Sequence, residues 1–328
     1  MTTPVLICDD SSFARKQMAR ALPRDWDVEV SFAGNGEECL EALRAGKGDI
    51  LFLDLNMPVL DGYGVLEAIR REDLNTLVIV VSGDVQREAR ERVIRLSAMD
   101  FVKKPIDSDT IGEILDRFGI RGEPGGDLGE FDFEVNIHDC YQEIANVAMG
   151  QAGDLLARLL GSFIELPVPK VSMIDGQDLK MTLEALGDGD SGTAICQGFI
   201  GAGIAGEAFL SFGDSRREDV ARLVGADGTI DENTETELLM DVTGILVGAC
   251  LKGMGEQLDI SFSQGHPILI GRHIHVAELV KRNAGRWGPT LAIDIPYSIE
   301  GHQVHWDLLL LFTGESLNAL NERVSYLG

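Results

Sequence analysis

Residues 4 to 118 alternate short apolar runs with amphipathic segments, and this alternation constrains the fold more than any other feature of the chain. Five apolar runs are predicted to be strands, at Val5–Cys8, Val28–Phe32, Ile50–Leu53, Leu77–Val81 and Phe101–Val102. A helical pattern follows each of them, at about 11–21, 36–45, 62–71, 86–97 and 108–118. Mostly apolar strands joined by helices are typical of a parallel sheet that is covered on both faces. We therefore expect a five-stranded, doubly wound α/β domain.

Polar side chains fall where these predicted strands end. Asp9 and Asp10 follow the first strand, Asp54 follows the third, Ser82 follows the fourth and Lys104 follows the fifth. In open parallel sheets, ligands bind at this carboxyl edge. Three carboxylates facing one another require a hard cation, and their oxygen ligands favour Mg²⁺. Beside that cation Asp54 can accept a phosphoryl group as an acyl phosphate. The alternative is that acidic loop ends merely keep the sheet soluble, but this leaves the Lys and the Ser on the same edge unexplained.

These motifs resemble those of the CheY-like response-regulator receiver family, whose fold is flavodoxin-like. The matching residues are Asp9–Asp10, Asp54-Leu-Asn56-Met57-Pro58 followed by Asp61–Gly62, Ser82–Gly83 and Lys104–Pro105. The resemblance implies phosphorylation of Asp54 by a histidine kinase, with phosphate contacts from Ser82 and Lys104. It also implies Mg²⁺ contacts from Asp9, Asp10, Asp54 and the Asn56 carbonyl. Ser82 and Phe101 would be the switch pair, Lys104–Pro105 is often a cis peptide in this family, and a phosphorylation-dependent homodimer is compatible with it.

Residues Gly119 to Glu130 have the sequence GIRGEPGGDLGE, with five glycines and one proline in twelve positions. This composition cannot sustain a helix or a strand, so it predicts a flexible linker. We therefore expect a receiver domain at 1–120, a linker at 121–130 and a second domain at 131–328.

The second domain begins with a two-faced helical pattern at about 137–160. At roughly 100° per residue, Asp139, Glu143 and Asn146 lie in a neighbouring row on one side. The apolar side is expected to face a core and consists of Tyr141, Ile144, Ala145, Ala148, Ala152, Leu155 and Leu159. A carboxylate and a carboxamide placed this way can grip a cation and orient a water molecule. The alternative is an ordinary solvated helix face.

The spacing Asp-x3-Glu-x2-Asn-x22-Pro, which ends at Pro169, resembles the signature of the CheC/CheX/FliY family of chemotaxis phosphatases. These proteins dephosphorylate receiver domains. The resemblance implies that Glu143 pairs with a receiver's lysine and that Asn146, on an exposed helix, places a water molecule against the acyl phosphate. Asp139 would support the interface. The favoured substrate is a separate phosphorylated CheY-like protein, with the attached receiver as a regulatory input through Asp54, although the chain's own receiver stays an alternative.

A similar pattern recurs later in the chain. A predicted helix at about 233–255 carries Glu237, Asp241 and Gly244, and the interval from Gly244 to Pro267 equals that from Asn146 to Pro169. Strands are expected at about 193–200, 206–212, 290–298 and 303–312, and shorter helices at about 216–224 and 315–325. These elements predict an α+β CheC-like domain with a pseudo-twofold internal repeat. The alternative is that two unrelated amphipathic helices share the spacing by chance. Because Gly244 has no side chain, we expect one working site per chain.

The formal net charge of −26 argues against nucleic acid and anionic membrane surfaces as partners. No signal peptide and no membrane-spanning run are expected. The five cysteines are scattered without a CxxC pair, which is typical of reduced thiols in a cytoplasmic protein.

Other functions stay open beside the phosphatase. One is a non-catalytic adaptor that binds phosphorylated receivers or a flagellar switch component, and another is a phosphate sink that needs only Asp54. Arg272–His273 and His275, with His266 nearby, form a weaker candidate for a metal site. The glycines of Gly201–Gly206 are predicted to form a hairpin turn rather than a nucleotide loop, because no helix follows them.

Overall fold

The computed structural model describes residues 2–120, 136–174, 193–212, 231–272, 289–302 and 304–327. The chain divides into two compact units, Met1–Glu143 and Ile144–Gly328, and the division falls inside one long helix. The first unit therefore includes the first two turns of that helix. The predicted linker at 121–130 and the predicted helix at 216–224 lie outside the described residues.

The first unit contains the predicted five strand–helix pairs. Its strands are β1 (Thr3–Cys8), β2 (Val28–Ala33), β3 (Ile50–Leu53), β4 (Leu77–Ser82) and β5 (Asp100–Lys103). Its helices are α1 (Ser12–Ala21), α2 (Gly36–Arg44), α3 (Gly62–Glu72), α4 (Arg87–Arg95) and α5 (Ser108–Arg117). All four strand pairs are parallel, in the order β2-β1-β3-β4-β5. The predicted doubly wound α/β fold is confirmed.

Alternate residues of the strands face two different cores. Leu6 and Cys8 of β1 pack into a cluster on one face of the sheet. Val5 and Ile7 pack into a cluster on the other face, together with the buried Trp26. Because both faces are covered by helices, the strand sequences are almost uniformly apolar.

Local side-chain chemistry fixes where the helices of this unit begin. Ser11, Asn35, Asp61 and Asp107 each accept a hydrogen bond at a helix start, from the backbone N–H three residues later. The residue after Asp61 has to be glycine, because a Cβ on Gly62 would lie 2.3 Å from the carbonyl oxygen of Asp54. The capped start of α3 therefore packs directly against the backbone of the residue expected to be phosphorylated.

The second unit is built on an antiparallel sheet. Helix α6 (Ile137–Leu160) leads into β6 (Ile164–Glu165), β7 (Lys170–Ile174), β8 (Thr193–Gly201) and β9 (Ile204–Phe212). Helix α7 (Glu232–Leu258) leads into β10 (Ser263–Gln264), β11 (Ile268–Arg272), β12 (Thr290–Ile299) and β13 (His305–Phe312), followed by a 3₁₀ turn (Gly314–Ser316) and helix α8 (Leu317–Ser325). The strand order is β10-β8-β9-β13-β12-β6, with β11 also paired to β8 and β7 to β12. The α+β class is confirmed.

Helices α6 and α7 pack closely against each other. A Cβ on Gly253 would lie 2.9 Å from the Cα of Ala148, so a glycine is needed where the helices approach. The amide of Gln257 donates a hydrogen bond to the carbonyl oxygen of Ile144 (3.1 Å). On its other side α7 meets the sheet, where Cys250 Sγ lies 3.4 Å from the hydroxyl of Tyr297.

The predicted apolar face of α6 is wrong in its last two turns. Leu155 and Leu159 are 43% and 48% exposed, whereas Ala152, Leu156 and Leu160 are buried. After Ala152 the buried side chains therefore follow an i, i+4 row, and Leu156 and Leu160 are each one position later than the predicted Leu155 and Leu159.

Helix α7 bears on the expectation that the chain has no membrane-spanning run. Among the described residues it is the one helix that is long and apolar enough to cross a membrane, with a mean hydropathy of 1.5 over its most apolar 18 residues. In this fold, 56% of that window is buried inside the protein. A core helix meets the same criteria, so its composition is weak evidence for a membrane span.

The predicted hairpin turn at Gly201–Gly206 is confirmed. Strands β8 and β9 form a hairpin through Ala202 and Gly203, which both have positive φ angles (51° and 80°) as a tight hairpin turn requires. Four of the five cysteines are buried, and Cys196 is partly buried.

Candidate phosphorylation site and signature helix

The acidic residues of the first unit converge at the carboxyl edge of its parallel sheet. Carboxylate oxygens of Asp9, Asp10 and Asp54 lie within 4.8 Å of one another. Asp9 and Asp54 are buried. The backbone N–H groups of Ser11 and Asn56 donate hydrogen bonds to Asp9 (2.9 Å) and Asp54 (3.2 Å), which holds both carboxylates in place.

Lys104 supplies the positive charge of this cluster. Its side chain is 2% exposed, and its Nζ lies 2.6 Å from Asp9 Oδ2 and 3.4 Å from Asp54 Oδ1. Burial alone would lower the pKa of Lys104, but the surrounding carboxylates raise that pKa well above its ordinary value. Lys104 is therefore a fixed cation beside the carboxylate that is expected to carry the phosphoryl group. Its neighbour Lys103 is exposed.

The three carboxylates fit a Mg²⁺ ion. Burial, with the charges of Asp9 and Asp54, raises the pKa of Asp10 to about 7. Burial likewise raises the pKa of Asp54 to about 6, although Lys104 opposes this. Asp10 Oδ1 is buried and has no hydrogen-bond partner among the described residues. A hard divalent cation would satisfy this oxygen and offset the mutual repulsion. The Asn56 carbonyl stays a predicted further ligand.

We expect Mg²⁺ affinity to rise as the pH rises through about 6 to 7, the range of the raised pKa values of Asp54 and Asp10. Below this range the carboxyls hold protons that the metal must displace, and above it they are already ionised. Calorimetric titration at pH 6, in two buffers of different ionisation enthalpy, should detect proton release on binding. Asp10→Asn should weaken binding and remove much of the released proton. Equal affinity at pH 5.5 and 8 would contradict this account.

The predicted switch residues lie on the paired strands β4 and β5. Ser82 is fully buried, and its Oγ accepts a hydrogen bond from the backbone N–H of Asp84 (3.1 Å). Phe101 is partly buried and packs against one of the two cores. The Lys104–Pro105 peptide bond is cis. The roles of Ser82 in holding phosphate and of Phe101 in switching stay predictions.

The start of helix α6 contacts the same cluster inside the first unit. Lys104 Nζ lies 3.2 Å from Glu143 Oε1, and Glu143 is 3% exposed. Burial raises the pKa of Glu143, and Lys104 opposes this rise. One helical turn earlier, the carboxylate of Asp139 accepts a hydrogen bond from the Ser12 hydroxyl. The expectation of an exposed helix face is wrong for Glu143, because the buried Lys104 gives its carboxylate a counter-charge.

Asn146 follows Glu143 by three residues on α6 and belongs to the second unit. It is 5% exposed, and neither Oδ1 nor Nδ2 has a hydrogen-bond partner among the described residues. The predicted exposure is therefore wrong for Asn146 as well. An unpartnered buried amide costs about 1–3 kcal/mol, so its presence calls for a reason other than stability.

The corresponding part of α7 differs chemically. Asp241 is exposed, and a Cβ added at Gly244 would lie 3.8 Å from Cγ of Pro267. Pro267 therefore lies close to this part of the helix. No carboxamide is available at position 244, so one working site per chain stays the prediction.

Two residues near the acidic cluster were missed by the sequence analysis. Arg15 donates to the backbone carbonyl of Asp9 (2.5 Å) and to that of Asp10 (3.2 Å). Ser12 binds Asp139, 127 residues away in the sequence. Arg15 could have been found as the first cation of the helix after Asp9–Asp10, whereas nothing in the sequence signals the long-range contact of Ser12.

The histidine candidate receives no support from the described residues. His266 is exposed, and His273 and His275 lie outside the described residues. Among the described residues, Asp9, Asp10 and Asp54 form the group suited to a metal.

Comparisons with known proteins support the receiver fold of the first unit. Residues 5–116 match the family model of the response regulator receiver domain. A protein-glutamate methylesterase/protein-glutamine glutaminase of Syntrophomonas wolfei is 35% identical over 105 residues, which cover 31% of this chain and 29% of that protein. A protein of the same name from Bacillus subtilis is 37% identical over 107 residues, covering 32% and 30%. The chain thus spans about three tenths of the length of these relatives.

A more distant likeness covers more of the chain. The crystal structure of Thermotoga maritima FliY is 15% identical, covers 60% of this chain and 100% of that chain, and has a TM-score of 0.44. This likeness is too distant to assign a fold or an activity.

Proposed function

Because residues 5–116 form a response regulator receiver domain, we propose that the C-terminal part of this response regulator hydrolyses the aspartyl phosphate of CheY-like receivers. The observation that carries the proposal is the 3.2 Å contact between Lys104 Nζ and Glu143 Oε1. It pairs the glutamate of the Asp-x3-Glu-x2-Asn signature with the lysine of a receiver site. The phosphatase signature implies this same pairing.

A receiver supplies most of the chemistry for its own dephosphorylation. Mg²⁺, when bound by Asp9, Asp10 and Asp54, would neutralise charge on the phosphoryl oxygens. Lys104 adds a second fixed positive charge. The missing contribution is a positioned nucleophile, and the Asn146 carboxamide can orient a water molecule without repelling the phosphoryl group. The water oxygen bonds to phosphorus, and the bond to the aspartyl oxygen breaks with its electron pair left on the carboxylate. Both protons of the water leave with the phosphate as dihydrogen phosphate.

We assign this activity to a CheC/CheX-like domain at 131–328 with an internal repeat. Each of the two long helices is followed by two short strands and a hairpin. The short strands after α6 pair with β12, and the short strands after α7 pair with β8. This exchange supports two related halves whose central contact is the β9–β13 pair.

A non-catalytic adaptor is the second candidate, and one observation favours it. Asn146 is 5% exposed, so the carboxamide expected to orient water is not open to solvent. Such a protein would bind a phosphorylated receiver or a flagellar switch component without hydrolysing a phosphoryl group. The methylesterase and glutaminase activities belong to the names of relatives matched over about three tenths of their length, so they support neither candidate.

A phosphate-release assay separates these functions. Catalytic amounts of the full chain are added to a panel of phosphorylated CheY-like receivers with Mg²⁺, with and without a phosphodonor for Asp54. A phosphatase gives many phosphates per chain, and an adaptor slows release or leaves it unchanged. If Asp54 is only a regulatory input, the Asp54→Asn chain still releases phosphate from separate receivers. The phosphodonor should then have no effect on the rate of that release. Absence of turnover on every receiver, including the chain's own, would overturn the proposal.

A further inference from the structure

We propose that the phosphoryl group hydrolysed through the Asp139–Asn146 signature is the one on the chain's own Asp54. The inference rests on the proposed phosphatase function and names its substrate. It differs from the expectation that a separate receiver is the main substrate.

Lys104 is closed off from solvent. Its side chain is 2% exposed, and Glu143 already lies 3.2 Å from its ammonium. A glutamate from a second protein would have to reach a lysine that is covered and charge-paired. The residue that the signature should present to a substrate receiver is thus engaged by a receiver within the same chain.

A second contact lies one turn earlier on the same helix. Asp139 accepts a hydrogen bond from Ser12, the first residue of α1, directly after the loop that carries Asp9 and Asp10. Both acidic residues of the signature therefore contact the rim of one receiver site. Their i, i+4 spacing places them on the same face of α6, so a single face of the helix makes both contacts.

The charges around Glu143 require a specific ion pair. The cluster already contains three carboxylates, and the chain has a formal net charge of −26. Adding a further, buried carboxylate to these is strongly unfavourable unless it pairs with a cation, and Lys104 fills that role. The contact therefore depends on the specific match of Glu143 to Lys104.

Hydrolysis within one chain would make the phosphorylated state self-limiting. Water attacks the Asp54 acyl phosphate, the Asp54 carboxylate is regenerated, and dihydrogen phosphate leaves with both water protons. The lifetime of the signal would then be set by the chain itself, not by the concentration of a phosphatase.

The test uses two full-length variants. An Asn146→Ala chain is phosphorylated with acetyl phosphate and Mg²⁺, freed of the phosphodonor, and followed by the loss of phosphorylated protein on phosphate-affinity gels. An Asp54→Asn chain, which retains Asn146 and cannot carry the phosphoryl group, is added as a helper. We expect wild type to lose phosphate with a rate constant that is unchanged over a 100-fold range of protein concentration. We expect the Asn146→Ala chain to hold phosphate at least about tenfold longer, with or without the helper.

The other outcomes overturn the inference in distinguishable ways. If the helper shortens the lifetime of the phosphorylated Asn146→Ala chain in proportion to its concentration, hydrolysis occurs between chains and the phosphatase function stands. If wild type and Asn146→Ala lose phosphate equally fast, the chain's own receiver is not the substrate, and turnover on separate receivers decides the phosphatase function. Asp241→Asn changes the exposed carboxylate of α7 that corresponds to Glu143, and as a control it should behave as wild type.

Discussion

Replacing Lys104 with methionine is expected to destabilise the first unit by about 3–5 kcal/mol at pH 8 without Mg²⁺. The ammonium lies between Asp9, Asp54 and Glu143, all of them buried. Without it these carboxylates remain buried with no counter-charge, and burial then holds the folded-state pKa values of Asp54 and Glu143 further above those of the unfolded chain. Groups with raised folded pKa values lower stability increasingly as the pH rises through those values. The loss should therefore be smaller at pH 5, as measured by chemical denaturation.

Three controls define the origin of this effect. Lys103→Met changes the exposed neighbour and should alter the free energy of unfolding by no more than about 0.5 kcal/mol. Glu143→Gln in the Lys104→Met background should recover part of the loss, because one buried charge is removed. Mg²⁺ should also restore stability at pH 8. Wild-type Lys104 has a raised pKa and stays charged over this range, so it adds no pH dependence of its own. Equal effects of Lys103→Met and Lys104→Met would refute this account.

Asn146→Ala is expected to reduce the rate of dephosphorylation about 100-fold while leaving the fold intact. The loss follows from removing the group proposed to position water. Stability should stay within about 1 kcal/mol of wild type, because the substitution deletes two buried polar atoms that lack partners and so offsets the small cavity it leaves. Thermal unfolding and the phosphate-loss assay on the same preparation measure both quantities.

The rate of dephosphorylation and the stability of Asn146→Ala together distinguish a catalytic role of Asn146 from a structural one. A buried asparagine with a purely structural role would lower stability when truncated and would leave the rate per folded chain unchanged. Gly244→Ala is the matched control at the corresponding position of α7, where a Cβ fits 3.8 Å from Pro267. It should leave dephosphorylation unchanged. A stability loss of several kcal/mol in Asn146→Ala, with full activity, would assign Asn146 to the core.

Most of the fold could be predicted from the sequence because its longer elements carry strong periodic signals. The prediction for α6, at about 137–160, coincides with its observed bounds, and the five receiver strands each lie within two residues of prediction. The convergence of Asp9, Asp54 and Lys104 was predictable because the topology of a parallel sheet brings strand ends to one edge.

The short strands of the second unit and the burial of the signature residues could not be predicted from local sequence patterns. The strands β6, β7, β10 and β11 have two to five residues each and are defined by partners far away in the sequence, so no periodicity marks them. The burial of Glu143 and Asn146 was missed because a polar helix face predicts solvent. Only the tertiary contact with Lys104 reverses that expectation for Glu143.

Short strands of the second unit pair with strands far away in the sequence, and this affects how the nascent chain folds. Residues 170–174 pair with residues 290–294, so β7 emerges from the ribosome more than a hundred residues before its partner. Pairing over such separations slows folding, because the chain must close a long loop before it gains any contact. We expect a nascent chain halted before β12 to be sensitive to protease in this region, and release of the completed chain to be the step that makes it resistant.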